Sequence, residues 1–219
     1  MKSREDRKSG KLVPRTAPKQ SRAKETVQNI LTVTRTLLIE EGVEKLTTNH
    51  VAKAAEMNIS TLYRYFPNKQ AILFEMYRQF LEKVEAILQP FVLKAAGTDF
   101  DALLDEIFFD LYDSSLIDSD QQKYESELAK AMRLFPELEA VDREHHKWVG
   151  QTFAAIFREA GLTCDEETSY QIGLYIYCLD LILPEFSSLG GDQKLAFDWY
   201  RQTINHIVSP YRPDMDQRS

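Results

Sequence analysis

No run of apolar residues in this sequence approaches the roughly 18–20 that a bilayer-spanning helix needs, and no apolar stretch follows the positive charges at its start. The pattern therefore gives no membrane span and no secretory signal, and cytoplasmic residence is the expectation. Cysteine is nearly absent. Cys164 and Cys178 form no CxxC and have no evident metal partner. In a reducing compartment they read as free thiols, with buried packing as their expected role. Histidine is scarce too, and none follows a glutamate at the Glu-x-x-His spacing. That argues against a ferritin-like carboxylate oxidase, which needs two such motifs. No catalytic residue, metal or cofactor is expected, and the chain does not read as an enzyme.

What is present is an ordinary globular mixture, 43% hydrophobic and 28% charged, in 219 residues. That length holds one large domain or two small ones with a sizeable core. The net charge of −7 argues at first against a nucleic-acid binder, but the charges are not evenly spread. Residues 1–24 carry nine basic side chains against Glu5 and Asp6, leaving eighteen basic and thirty-two acidic residues in the rest. A basic arm on an acidic body is a common way to bind DNA locally while the body is kept off it. An inert, solvated tail is the other reading of the arm, and both stay open. Pro14, Pro18 and few apolar neighbours make residues 1–21 a flexible arm rather than a folded segment.

From about Arg22 the period becomes helical. Ile30, Val33, Leu37 and Leu38 recur at three- and four-residue spacing and mark one apolar face. Gly42 suits the left-handed position after a helix end. Thr47-Thr48-Asn49 supplies a cap for a second helix through Val51, Ala52 and Ala55, and Asn58 caps a third from Ile59 to Phe66. Pro67-Asn68 breaks the pattern before a long amphipathic helix that starts near Lys69 and is expected to run to Pro90. Three short helices with a tight turn between the second and third describe a helix-turn-helix.

The stretch Glu41–Leu73, EGVEKLTTNHVAKAAEMNISTLYRYFPNKQAIL, resembles the DNA-binding domain of the TetR family of transcription regulators. The shared elements are Gly42, Thr47-Thr48, Val51-Ala52, Thr61-Leu62-Tyr63-Arg64-Tyr65-Phe66 and Asn68-Lys69. Their order and spacing agree together over about residues 22–75, which is far more specific than one short motif. One position departs. The family usually places glycine in the turn before the recognition helix, and this chain has Glu56. A non-glycine residue with positive φ there would cost about 1 kcal/mol or more.

The chemistry of the matched residues agrees with a DNA-binding role. The Thr48 hydroxyl, with the N–H groups at its helix start, suits a phosphate oxygen, as do the Tyr63 phenol and the Lys69 ammonium. Such contacts position the module without reading sequence. Asn49, Ile59, Ser60, Thr61 and Tyr65 are the candidates for base edges, with Ile59 restricted to a thymine methyl. Thr47 and Asn58 complete the set as the capping residues of that surface. Val51, Ala55, Leu62 and Phe66 are expected in the core.

The remainder reads as amphipathic helices. Asp99 caps a fifth, a sixth covers about 120–134, and a seventh opens at Pro136 and runs to Gly161. Asp165 caps an eighth that ends near Pro184, and the last covers 193–208. The expected architecture is all-α: an arm 1–21, a three-helix helix-turn-helix domain 22–68, a helical ligand-binding and dimerisation domain 69–210 and a tail 211–219. The resemblance implies that the last two long helices pair with their symmetry mates in a homodimer, and that the middle helices enclose a small-molecule effector. Aromatic and polar residues there, Phe108, Tyr112, Met132, Trp148, Phe153, Tyr175 and Tyr177, are the candidate lining. His145-His146, with Asp142 on the same helical face, makes a metal site conceivable, but surface histidines are the expectation. The partners implied are double-stranded operator DNA and the effector, with action as a repressor. A helical adaptor that binds proteins and no DNA is the other class, kept in view by Glu56 and the near-neutral module.

Overall fold

The computed structural model describes residues 21–112 and 119–212. Residues 1–20 of the basic arm and 213–219 of the tail lie outside the described residues. Among the described residues the chain forms nine α-helices, one short 3-10 turn and no strand. The helices are α1 Ser21–Glu41, α2 Thr48–Ala54, α3 Ile59–Tyr65, α4 Lys69–Lys94, α5 Phe100–Tyr112, α6 Ser119–Leu134, α7 Pro136–Glu159, α8 Glu166–Ser188 and α9 Gln193–Val208. Among these residues no helix is long and apolar enough to cross a membrane. The chain divides into two compact units, and neither is a single stretch of sequence.

The first unit holds the residues up to Leu81 together with Lys123–Asp142. Its core starts on α1, where Ile30, Leu31, Thr34 and Leu38 are buried. Val33 and Leu37, expected on that face, are only half-buried and pack against the same cluster. The buried stripe is thus rotated by part of a turn, and it admits Thr34 because its hydroxyl donates to the Ile30 carbonyl at 2.7 Å. Gly42 ends α1 at φ 82, and its N–H donates to the Leu38 carbonyl at 3.1 Å. That satisfies one of the carbonyls a helix end leaves open. Val51, Leu62, Phe66, Ile72 and Leu73 close the same core, joined by Leu128 and Ala131 of α6.

The second unit holds Glu82–Gln122 and residues from Arg143 onward. Leu103, Ile107 and Phe108 of α5 form its inner face, with the Phe108 ring edge-on to Tyr200 at 5.0 Å. α7 and α8 cross at two glycines. A Cβ on Gly173 would stand 2.9 Å from the Gly150 carbonyl oxygen, so only glycine permits that approach. At the far end the Arg212 guanidinium forks onto the Asp101 carboxylate at 2.9 and 2.6 Å and also donates to Asn205.

Four expectations about this region need correction. α4 does not stop at Pro90 but runs to Lys94. Leu88, Phe91 and Ala95 are all buried, and that stripe carries the helix past one missing N–H. α8 likewise passes Pro184 and ends only before Gly190, which takes φ 86. The histidines are not at the surface: His145 is 4% exposed and His146 is half-buried. His145 lies four residues before Val149 on the stripe that continues through Phe153 and Ile156, so the helical period carries it inward. Its ring stacks at 5.9 Å on Trp148, and Tyr177 meets both histidine rings. Cys178, expected to be packed, is exposed, whereas Cys164 is half-buried beside the Ser169 hydroxyl at 3.0 Å.

Candidate nucleic-acid interface

Two seven-residue helices carry the surface, and their caps are made by local chemistry. Thr47 is extended, and its hydroxyl accepts the His50 N–H at 3.1 Å, opening α2. Asn58 is extended in the same way, and its side-chain oxygen accepts from the Ser60 N–H at 2.9 Å and the Ser60 hydroxyl at 2.8 Å. Each cap satisfies donors that the first helical turn leaves free. Val51, Leu62 and Phe66 are fully buried, which turns the opposite faces of both helices outward. The turn between them folds back as the Met57 N–H meets the Ala52 carbonyl at 3.0 Å, and Glu56 takes φ 51. A non-glycine residue thus holds the left-handed conformation here, and the turn does not avoid it despite the cost. Asn29 of α1 supports the turn by donating to the Ala55 carbonyl at 3.3 Å.

The outward faces bring most of the expected residues together. The Thr48 hydroxyl lies 3.1 Å from the Tyr63 phenol oxygen, which joins α2 to α3 on the exposed side. Tyr63 is 41% exposed, so its ring is a surface group. Thr47, Asn49, Asn58 and Ser60 are exposed as well, and Thr61 is half-buried. Ile59 and Tyr65 are half-buried and pack on the first unit's core with part of their surface. Lys69 is half-buried: its ammonium donates to the Leu46 carbonyl at 3.0 Å and sits 5.2 Å from the centre of the Phe135 ring. Two further residues belong to this surface and were not singled out by sequence. His50 is exposed beside Asn49, with Nδ1 3.7 Å from a Glu41 carboxylate oxygen. Arg64 is exposed on α3, its guanidinium 6.0 Å from the Tyr65 ring. Both lie within the motif itself, next to residues chosen for their chemistry, and that adjacency was the available signal.

Residues 30–76 match the family model described as bacterial regulatory proteins, tetR family. That similarity lies in the first unit and spans its helix-turn-helix. The nucleoid occlusion factor SlmA of Haemophilus ducreyi is 37% identical over 76 residues, which is 34% of this chain and 35% of that protein. The SlmA of Mannheimia succiniciproducens is 39% identical over 66 residues, 30% of this chain and 29% of its own length. The chain thus matches about a third of the length of these curated relatives. Solved structures extend the likeness of fold to nearly the whole chain. GusR of Salmonella enterica superposes with a TM-score of 0.71 at 16% identity, over 88% of this chain and 100% of that one. A putative TetR-family transcriptional regulator from Mesorhizobium loti gives 0.69 at 15% identity, over 89% and 100%.

The candidate effector residues are not all gathered. Phe108, Phe153 and Tyr177 are buried in the second unit's core, with Trp148 packed against it. Met132 lies in the first unit's core with Leu128 and Ala131. Tyr175 is 48% exposed, because Ile172 and Ile176 take the buried face of α8. The Tyr112 side chain lies outside what the structure describes. Among the described residues no group of three His, Cys, Asp or Glu is placed to hold a metal ion.

Proposed function

We propose that this chain is a ligand-responsive transcriptional regulator of the TetR type, a repressor that binds palindromic operator DNA as a homodimer. The observation that carries the DNA-binding part is the Thr48–Tyr63 hydroxyl pair, set between two capped helices whose exposed faces are polar. One hydroxyl of the pair donates to the other, which leaves the second O–H oriented and free for a phosphate oxygen, while Asn49, Ser60 and Thr61 face the base edges. Lys69 uses one donor on Leu46 and keeps two for the same phosphate. One module has a short recognition helix and few charges, so two copies about one helical turn apart supply the affinity.

The dimer reading rests on α8 and α9. Tyr175, Cys178 and Ile182 share one exposed stripe of α8, and Leu195 and Trp199 are exposed on α9. Such a patch calls for a covering surface, and a second copy provides one by symmetry. The effector reading rests on the aromatic cluster of Phe108, Trp148, Phe153 and Tyr177, which suits an apolar compound with one polar handle. A compound that binds one spacing of the two modules better than another shifts DNA affinity, and DNA shifts its affinity by the same factor. The site of action is the cytoplasm.

The test is binding to duplex DNA at several salt concentrations. Tyr63→Phe should weaken binding to every sequence alike, and Lys69→Ala should also lower the salt slope by about one unit. Wild-type affinity and slope in both variants would overturn the assignment of these residues. Absence of any duplex binding at low salt would favour the adaptor reading.

A further inference from the structure

Val43 follows the glycine that ends α1 and is completely buried, so its amide N–H has no access to water. A helix closed by a left-handed glycine commonly sends that N–H back to one of its own last-turn carbonyls. Here it goes elsewhere. The Val43 N–H donates at 2.8 Å to Oε2 of Glu127, which lies 84 residues further on, in α6. Gly42 leaves room for the carboxylate, since a Cβ there would stand 3.1 Å from that same oxygen. Glu127 is 7% exposed, and its other oxygen takes Lys130 at 2.5 Å. Its neighbours Leu128 and Ala131 are part of the apolar core, so a buried carboxylate is an expensive choice at this position.

The turn that it grips leads straight into the DNA-binding surface. Leu46, at the other end of the turn, gives its carbonyl to Lys69 of α4. The next residue is the Thr47 cap, and the one after it carries the hydroxyl paired with Tyr63. The segment between α1 and α2 is thus pinned at both ends by long side chains from helices outside the helix-turn-helix.

We propose that Glu127 is a positioning residue for DNA binding: by holding the Val43 amide it sets the α1–α2 turn and, through it, the Thr48–Tyr63 pair. The inference rests on the DNA-binding reading above. Glu127 touches no phosphate, so its effect is on affinity and not on the number of ions released.

The test uses the full chain, with binding to a fluorescent random duplex measured across a salt series and folding checked by circular dichroism. Glu127→Ala and Glu127→Asp should both lower affinity about tenfold, as expected when one buried amide loses its acceptor, with an unchanged salt slope. Asp keeps the charge but falls one methylene short of Val43. Glu127→Gln keeps an oxygen for the amide and should stay within about twofold of wild type, and so should Lys130→Ala. If Glu127→Ala does not fold, the Asp and Gln variants decide the matter. Wild-type affinity in a folded Ala or Asp variant, or a Gln variant as weak as Asp, would overturn the proposal. Wild-type protein that binds no duplex would instead overturn the DNA-binding reading, and the positioning role with it.

Discussion

Glu56 holds its backbone at φ 51, where a Cβ crowds the following carbonyl. The turn needs that conformation to send the Met57 N–H back to Ala52. Glu56→Gly should therefore stabilise the protein by about 0.5–1 kcal/mol, the relief of strain being partly offset by the freer unfolded chain. Chemical denaturation measures it, and an unchanged or lower midpoint would show that the glutamate side chain compensates. At this scale the sequence was readable wherever the chemistry is local. Thr47, Asn58, Asp99 and Asp165 all cap the helices assigned to them, because a cap involves only the next two or three residues. Glu127 and His145 were not readable. Their burial depends on partners far along the chain, and a polar side chain in a helix pattern reads as solvent-facing until those partners are placed.

Among the elements, α4 shows how packing overrides a local signal. Pro90 removes the N–H that would bond the Ala86 carbonyl, yet the helix continues because the stripe of Leu88, Phe91 and Ala95 is buried on both sides of it. Pro90→Ala restores that bond at the expense of a freer unfolded chain, and a gain of about 1–2 kcal/mol is expected in a denaturation experiment. A loss would mean that the bend at Pro90 is required by the neighbouring helices. α1 carries the same lesson in a milder form. Its period was legible, but Thr34 takes a buried place that apolarity alone would give to Val33 or Leu37. The hydroxyl bond to Ile30 is what admits it, and such back-bonding is invisible in a hydrophobic pattern. The positions of the helix-turn-helix caps and breaks were plain because several local signals coincide there. The ends of α4 and α8 were not, because there the prolines point one way and the burial another.

For the whole molecule, the fork between Arg212 and Asp101 ties the end of the chain to α5. The hydrogen bond from Arg212 is the main cause that holds the Asp101 carboxyl below its ordinary 3.8, with burial acting against it. A depressed carboxyl contributes stability above its ordinary value and loses it as pH falls through the folded one. Wild type should accordingly melt higher than Asp101→Asn at neutral pH, and the two melting curves should converge below about pH 4. A constant gap at all pH values would show that the ion pair is not the source. Trp199, 52% exposed on α9, tests the assembly at little risk to the fold. In sedimentation Trp199→Glu should run as a monomer at micromolar concentration, where wild type runs as a dimer; two equal species would remove the proposed interface.

The core of the first unit is completed by Lys123–Asp142, which the chain supplies only after forty-one residues of the other unit. Its modularity is therefore spatial and not genetic. A fragment cut after Leu81, or a chimaera that joins those residues to a foreign second unit, would lack Leu128, Ala131 and the Glu127 carboxylate that receives Val43. Swapping the proposed DNA specificity means transplanting two segments together, or exchanging only the outward residues of α2 and α3 and leaving the wall behind them in place.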